Sequence, residues 1–368
     1  MTPQGVEMPG MAPVLTGEAT LRWGLLGTAR INDRILEAVG MSDRSEITAV
    51  ASRDSDRASV YARAAGIPHS FGSYDRMLSC DEVDVVYVSL PNWLHVPWGV
   101  KVAEAGKHAL IEKPLVIRAG EMELLERAAD ANGVIIQEAS MMRFHPQTAL
   151  LRRLVSEGVI GTPRWAQATF GFTLPYSDDI RLDHRGGGSL WDLGCYPITL
   201  FQAVLGRRPI EVEGFIRRAG QAADMTFGAQ ILYEGGVMGQ FLTSFETLPS
   251  WSAEFVGTRG RLRVSYPWLS QVELASTVEV VTRTSEVAPL SQSGDDNRSF
   301  GDEAEDQVTS HYTFEDANAY LEEVQAMERM ILDGEPGIFP LRESAVNMAT
   351  ILALIESADG RRVAKVHE

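Results

Sequence analysis

Two short stretches hold the residues best suited to chemistry. "IEKPL" (111–115) closes an apolar run with Glu112, Lys113 and Pro114. A buried strand gains nothing from ending on an acid, a base and a ring without a donor, so a lysine fixed there is read as a deliberately placed ammonium. "WDLGCYPI" (191–198) sets Asp192 and Tyr196 four residues apart in an apolar segment. If that segment is helical they share a face. An acid and a phenol in such surroundings need partners. From the residues alone, a buried tyrosine bonded to a backbone acceptor stays an open alternative. Pro197 removes a helix donor. A kink is expected rather than a stop, because Ile198, Leu200, Phe201 and Leu205 continue the apolar pattern.

The elements that must position these residues follow from the pattern around them. The first ~130 residues alternate short apolar runs with amphipathic stretches, as successive βα units do. Strands are expected at 21–27, 46–52, 83–90, 108–112 and 133–137. Helices are expected at 29–40, 55–66, 94–106 and 118–132, with Pro97 in the first turn of its helix. Short links between them imply a doubly wound parallel sheet, which binds ligands at the C-terminal ends of its strands. Pro91, Asn92, His95, Glu112 and Lys113 therefore gather near a bound cofactor, with Leu90 at the end of its strand. His95 also suits a helix's first turn with no chemical role.

After the first strand, Gly27-Thr28-Ala29-Arg30-Ile31-Asn32 stands where a G-x-G-x-x-G fingerprint would. Gly27 permits the tight turn, and the small Ala29 lets backbone N–H groups approach a pyrophosphate at the helix N-terminus. Asn32 replaces the third glycine, where close packing normally wants no side chain. The second strand ends in Ser52-Arg53-Asp54. A hydroxyl and a guanidinium suit a ribose 2′-phosphate, so NADP is expected over NAD. Asp54, one residue late, leaves NAD possible.

Near residue 160 the texture changes. Strands with glycine-containing turns are expected through 162–174, 211–219, 225–248 and 252–266, with "YEGGVMG" as a hairpin turn. This half reads as α+β with a largely antiparallel sheet. The acidic, serine-rich stretch 285–310 reads as a loop, and two helices, near 315–333 and 341–358, end the chain. The expected division is a flexible tail (1–20), a nucleotide-binding domain (21–142) and a substrate-binding and oligomerisation domain (143–368), the final helices able to pack back on the second of these.

Composition narrows the function class. The 368 residues are 45% hydrophobic, enough for two cores. A formal charge of −17 argues against nucleic acid and anionic membranes. No apolar run reaches ~18 residues, and the first twenty hold no Lys or Arg, so neither a membrane span nor a secretory signal is expected. Two distant cysteines, Cys80 and Cys195, fit a reducing cytoplasm. No His, Cys and acid cluster has metal-ligand spacing. Cys195 adjoins Tyr196 but has no base to activate it.

Together, "GLLGTARI", "YVSLPNWLH", "AGKHALIEKPL", "RFHPQ" and "GGGSLWDLGCYPI" resemble the Gfo/Idh/MocA oxidoreductases from about residue 21 to 358. The resemblance implies an N-terminal Rossmann domain and a C-terminal α/β domain whose open sheet carries substrate contacts and often oligomerises. It also implies a nicotinamide cofactor and hydride transfer at a sugar or polyol carbon. Many members carry histidine where Tyr196 stands. The tyrosine form is similar to the branch of dimeric dihydrodiol dehydrogenase, D-xylose dehydrogenase and glucose-fructose oxidoreductase, and departs from inositol dehydrogenase-like members.

On that resemblance Lys113, Tyr196 and Asp192 are the catalytic candidates. A free tyrosine has a pKa of about 10, and a lysine ammonium beside it stabilises the phenolate and a developing alkoxide. Asp192 would orient the substrate hydroxyl or Lys113. Arg143, before His145, and Arg181, before the glycines, are candidate substrate contacts, whereas Phe170 and Phe172 share one side of a strand and suggest packing. The expected activity is NADP-linked oxidation or reduction of a sugar, anhydrosugar or related polyol by a homodimer or homotetramer. The alternatives are oxidation of cyclic trans-diols and a non-catalytic nucleotide-sensing regulator.

Overall fold

The computed structural model describes residues 20–175, 179–218, 223–268, 276–284 and 307–367. Residues 1–19 of the expected tail lie outside these, as does 285–306 of the expected acidic loop. Two compact units emerge. One takes the chain up to residue 141 together with 320–348, and the other takes 142–319 and the chain from 349 onward.

In the first unit, β1 (Leu21–Leu26), α1 (Asn32–Gly40), β2 (Ser45–Ala51), α2 (Ser55–Ala65), β3 (His69–Phe71), α3 (Tyr74–Leu78), β4 (Val85–Val88), α4 (His95–Glu104), β5 (His108–Glu112), α5 (Glu121–Asn132) and β6 (Ile136–Ala139) alternate along the chain. The strands form one parallel sheet ordered β3-β2-β1-β4-β5-β6. Its order reverses between β1 and β4, which opens a crevice at the C-terminal strand ends. The strands are nearly continuous apolar runs because helices cover both faces. β6 starts three residues later than expected, because Gly133 in the left-handed region caps α5 and redirects the chain. Likewise α1 begins at Asn32 rather than at residue 29, and Ala29, Arg30 and Ile31 form the turn before it.

The second unit contains α6 (Pro146–Ser156), β7 (Pro163–Thr173), α7 (Cys195–Leu205), β8 (Pro209–Arg218), β9 (Asp224–Tyr233), β10 (Val237–Ser244), β11 (Glu246–Gly257), β12 (Gly260–Ser265), β13 (Ser276–Arg283) and β14 (Gln307–Phe314). Residues 307–310, expected in a loop, thus belong to a strand. Two helices follow, α8 (Ala319–Leu332) and α9 (Leu341–Gly360), and then β15 (Ala364–Lys365). The sheet order is β14-β13-β12-β11-β7-β10-β9-β8-β15, antiparallel except for β7 with β10. The hairpin between β9 and β10 turns through Gly235 and Gly236, both at positive φ.

One face of this sheet is buried, with Phe201 of α7 packed edge-on against Phe255 at 5.9 Å. The other presents a polar row running across the strands. Gln230 bonds Gln240 (3.2 Å), Gln240 bonds Gln167 (3.2 Å) and Gln167 bonds Glu254 (2.8 Å). Arg263 then reaches Glu254 at 3.2 Å and Glu279 at 3.6 Å. Exposed Phe215, Leu232, Met238 and Leu242 flank the row.

α8 packs in the first unit. Val324, Met327, Met330 and Ile331 share a core with Trp23, Leu25, Tyr87 and Leu110.

Candidate active site

The loop after β1 is built around Gly27. Its φ is +112°, and a Cβ there would stand 3.2 Å from Leu90 Cδ2 and 3.4 Å from the Ser89 carbonyl. Only glycine fits that conformation without strain. Thr28, Ala29 and Ile31 are half-buried and Arg30 is exposed. Asn32 resolves the missing third glycine. Its side chain is fully buried and folds back, Nδ2 donating to the Gly27 carbonyl at 2.9 Å. The side chain braces the loop instead of obstructing it.

At the end of β2, Asp54 caps α2, its carboxylate accepting from the N–H groups of Asp56 (2.9 Å) and Arg57 (3.0 Å). That acid is engaged by a helix N-terminus, where a negative charge is favoured. Ser52 is buried and Arg53 exposed. Arg53 and Arg57 both act on the Tyr74 hydroxyl, partly offsetting the burial that raises its pKa. Two guanidinium groups therefore serve one corner of the strand end. The donor set fits a dinucleotide: a tight loop, a helix N-terminus and paired cations.

The loops after β4 and β5 are tied together by His95. It is fully buried, with Nε2 2.7 Å from the Leu90 carbonyl and Nδ1 2.9 Å from that of Pro114. A neutral ring donates to one of these carbonyls, and only imidazolium to both. Burial opposes that charge and lowers the pKa. The neutral ring therefore donates to one of the two carbonyls and packs its other nitrogen beside the second, placing the imidazole between the loops that carry Leu90 and Pro114. The Lys113–Pro114 bond is cis. Glu112 accepts from the Lys113 backbone N–H at 3.2 Å and from the Tyr87 hydroxyl.

In the second unit the glycines before Tyr196 are forced by close approach. A Cβ on Gly187 would lie 2.4 Å from the Arg181 carbonyl oxygen. One on Gly188, at φ +121°, would lie 2.0 Å from Asp224 Oδ1. Asp224, buried, accepts from the Ser189 hydroxyl at 2.6 Å and the Leu190 N–H at 2.8 Å. It pins a π-helical turn, Leu190–Gly194, that leads directly into α7. Asp192 stands on that wide turn and Tyr196 on the first turn of α7. Pro197 falls just after the change from π to α, and the helical run continues through it. Such turns recur at functional sites.

Tyr196 is 9% exposed and packs edge-on against Phe170 at 5.2 Å and against Trp268 at 6.1 Å. Phe170 and Trp268 stack at 5.7 Å, and Trp268 Nε1 donates to the Thr169 carbonyl at 2.8 Å. Phe172 lies 6.2 Å from Phe170, with the Arg181 guanidinium 5.8 Å from its ring. Phe170, packed as expected, walls Tyr196, and Phe172 extends the ring cluster to Phe245. Arg181 pairs with Asp179 at 3.0 Å. Arg143 is buried and donates to the Thr199 carbonyl of α7 at 3.4 Å. His145, its pKa lowered to about 4 by burial, accepts from Gln147 N–H as the cap of α6. The structure therefore sets Tyr196 against Phe170 and Trp268, and Arg181 over Phe172, with Asp192 on the π turn that precedes Tyr196, and gives Arg143 a bracing bond to α7.

Comparison with known proteins decides the lineage. Residues 21–140 match the oxidoreductase family model for the NAD-binding Rossmann fold, and residues 148–263 match the GFO/IDH/MocA C-terminal domain. The chain belongs to the Gfo/Idh/MocA family. It is 33% identical over 343 residues to D-xylose 1-dehydrogenase (NADP(+)) 2 of Haloferax volcanii, covering 92% of this chain and 98% of that one. It is 32% identical to trans-1,2-dihydrobenzene-1,2-diol dehydrogenase of Mus musculus, over 67% of this chain and 75% of the relative. Among solved structures, a 3-ketoreductase from Actinomadura kijaniata in complex with NADP and TDP-benzene superposes with a TM-score of 0.80 at 27% identity, covering 92% and 98%. The chain is accordingly an oxidoreductase with a nicotinamide-binding Rossmann domain. No described helix is long and apolar enough to cross a membrane.

Sequence reasoning missed Arg57, Asp224 and Trp268. Arg57 is detectable, since it falls in the first turn of the helix that follows Arg53. Asp224 and Trp268 carry no local signal.

Proposed function

We propose that the protein is an NADP-dependent dehydrogenase or reductase, acting at the hydroxyl- or carbonyl-bearing carbon of a sugar, anhydrosugar or related polyol. The observation that carries this reading is Tyr196, held against Phe170 and Trp268 one turn beyond Asp192. A bound nicotinamide accepts or gives the hydride. Tyr196 takes the hydroxyl proton in oxidation and returns it in reduction, Lys113 supplies the cation that favours phenolate and alkoxide, and Asp192 orients the hydroxyl. The ring wall suits the C–H face of a pyranose. It equally suits the flat ring of a cyclic trans-diol, and this favours dihydrodiol oxidation as the second reading. A nucleotide-sensing regulator would have no need of Lys113, Asp192 and Tyr196. A screen of pyranoses, anhydrosugars and diols, followed by reduced-cofactor absorbance, tests the reading. No turnover with any class would overturn it.

NADP is preferred in this proposal because Asp54 is occupied as a helix cap while Arg53 and Arg57 stand beside the strand end. A 2′-phosphate would meet both guanidinium groups. Arg53→Ala should lower kcat/KM with NADP by at least about tenfold, the loss of about 1.4 kcal/mol, and change NAD turnover little. Equal losses with both cofactors would return the choice to Asp54. We propose in addition that the exposed sheet face joins copies of the chain as a homodimer or homotetramer.

A further inference from the structure

We propose that Glu323, a buried acid on α8 with one carboxyl oxygen unpartnered among the described residues, is a positioning residue for Lys113 in the same compact unit. The inference rests on the role given to Lys113 above.

Glu323 lies on α8, some two hundred residues from Lys113 in sequence, yet in the same compact unit. It is 1% exposed, and its Oε1 finds no hydrogen-bond partner among the described residues. An ionised carboxylate in such a place would be costly to leave unsatisfied. The neighbouring acids are differently served. Glu112 accepts from the Tyr87 hydroxyl and the Lys113 N–H. Glu138, on β6, accepts from the Leu115 N–H at 3.0 Å and from the Ser344 hydroxyl. Donors thus surround two of the three acids, and the third is left with an unmatched oxygen.

The charges around Glu323 act in the same direction. Glu112 and Glu138 both repel a negative charge on it, and burial adds to them, so its pKa is raised well above the carboxylate range. Tyr320, on the same helix, senses Glu112, Glu323, Lys113 and Arg34 of α1 together. Tyr87 of β4 senses Glu112, Tyr320 and Glu323. These groups form one electrostatic neighbourhood, with Lys113 at its edge. Ionising Glu323 would add a carboxylate to the neighbourhood that Tyr320 shares with Lys113 and offset the positive field Lys113 presents to a phenolate or alkoxide. The neutral acid fills the volume without adding that charge.

Glu323→Gln separates the proton from the shape. It keeps the volume of the neutral acid and cannot ionise. The wild-type kcat should fall at alkaline pH, and in Glu323→Gln that fall should move upward by at least about one pH unit, a tenfold change in proton concentration. A thermal readout is independent of turnover. With the folded-state pKa raised, the acid's contribution to stability is complete below the ordinary carboxylate range and is lost as pH rises toward the folded value. The melting temperature of Glu323→Gln should therefore gain on wild type as pH rises above the ordinary carboxylate range, by about 2–4 °C or more. Superimposable pH profiles and a constant gap in melting temperature would overturn the proposal. Should the variant not fold, wild-type infrared spectra decide. A protonated-carboxyl band that persists well above the ordinary carboxylate range supports a neutral acid, and its absence overturns it. Lys113→Ala distinguishes the two claims. If it abolishes turnover while the Glu323→Gln profile matches wild type, Glu323 alone is wrongly assigned. If Lys113→Ala keeps kcat, the site reading fails and takes the positioning role with it, whatever the thermal data say of the proton.

Discussion

Tyr196 is nearly buried, and its ring has two aromatic neighbours whether or not its oxygen does chemistry. Tyr196→Phe keeps those ring contacts and removes only the oxygen, so it isolates the proton-transfer role. Tyr196→Phe and Lys113→Ala should each lower kcat by about 10²–10⁴-fold while leaving cofactor affinity much less affected. The double variant should be scarcely worse than the poorer single one, because groups acting as a unit are non-additive. Near wild-type kcat in Tyr196→Phe would return Tyr196 to the aromatic wall and send the proton through another group. At this scale the sequence was informative where unlike residues stand together. Glu112, Lys113 and Pro114 announce themselves because an apolar strand has no reason to end that way. Asp224 and Trp268 do not, because what makes them matter is a partner 35 residues away at Ser189 and 99 residues away at Thr169.

In the proposed site, the π-helical turn is the element that carries Asp192 and leads into Tyr196. Its entry is fixed by Gly188, whose missing side chain makes room for the Asp224 carboxylate. Gly188→Ala puts a Cβ into that carboxylate at a positive φ, and it should cost about 1–3 kcal/mol, in the range of severe backbone and packing changes. Thermal melting reads the stability loss and cofactor titration its reach. The cofactor Kd should stay within about threefold, since the nucleotide loop belongs to the other unit, while kcat falls. A parallel loss of cofactor affinity would show that the turn does more than aim Asp192 and Tyr196. Elements with a clear burial pattern were legible in the sequence: β1, β2 and β4 are apolar because both faces are covered. β14 was not, because its residues are almost all exposed and an edge strand of that kind offers no alternation to detect. β6 was misplaced because a glycine that ends a helix resembles one that begins a strand.

For the whole molecule, the exposed sheet face is the feature most in need of a partner. The row from Gln230 to Glu279 crosses five strands, β9, β10, β7, β11 and β12, and reaches a sixth, β13, between apolar flanks. A two-fold axis would bring such a stripe against its own copy, as a self-complementary interface requires. Phe215→Glu combined with Leu242→Glu should convert the assembly to monomer at micromolar concentration, as read by light scattering. A wild type that is already monomeric would remove the proposal. The division into a parallel-sheet half and an antiparallel half was legible from the change of texture near residue 160. The membership of α8 was less so, because its amphipathic pattern says that it must pack but not on which sheet. That membership bears on how the protein is made. The chain leaves the ribosome from its N-terminus, and at about 5–20 residues per second the two hundred residues between Met141 and the end of the first unit take about 10–40 seconds to appear. During that interval Trp23, Leu25 and Tyr87 lack the helix that covers them. The nascent first unit must therefore wait with an apolar sheet face exposed, and the last-made helices, rather than the first-made strands, determine when it becomes safe from aggregation.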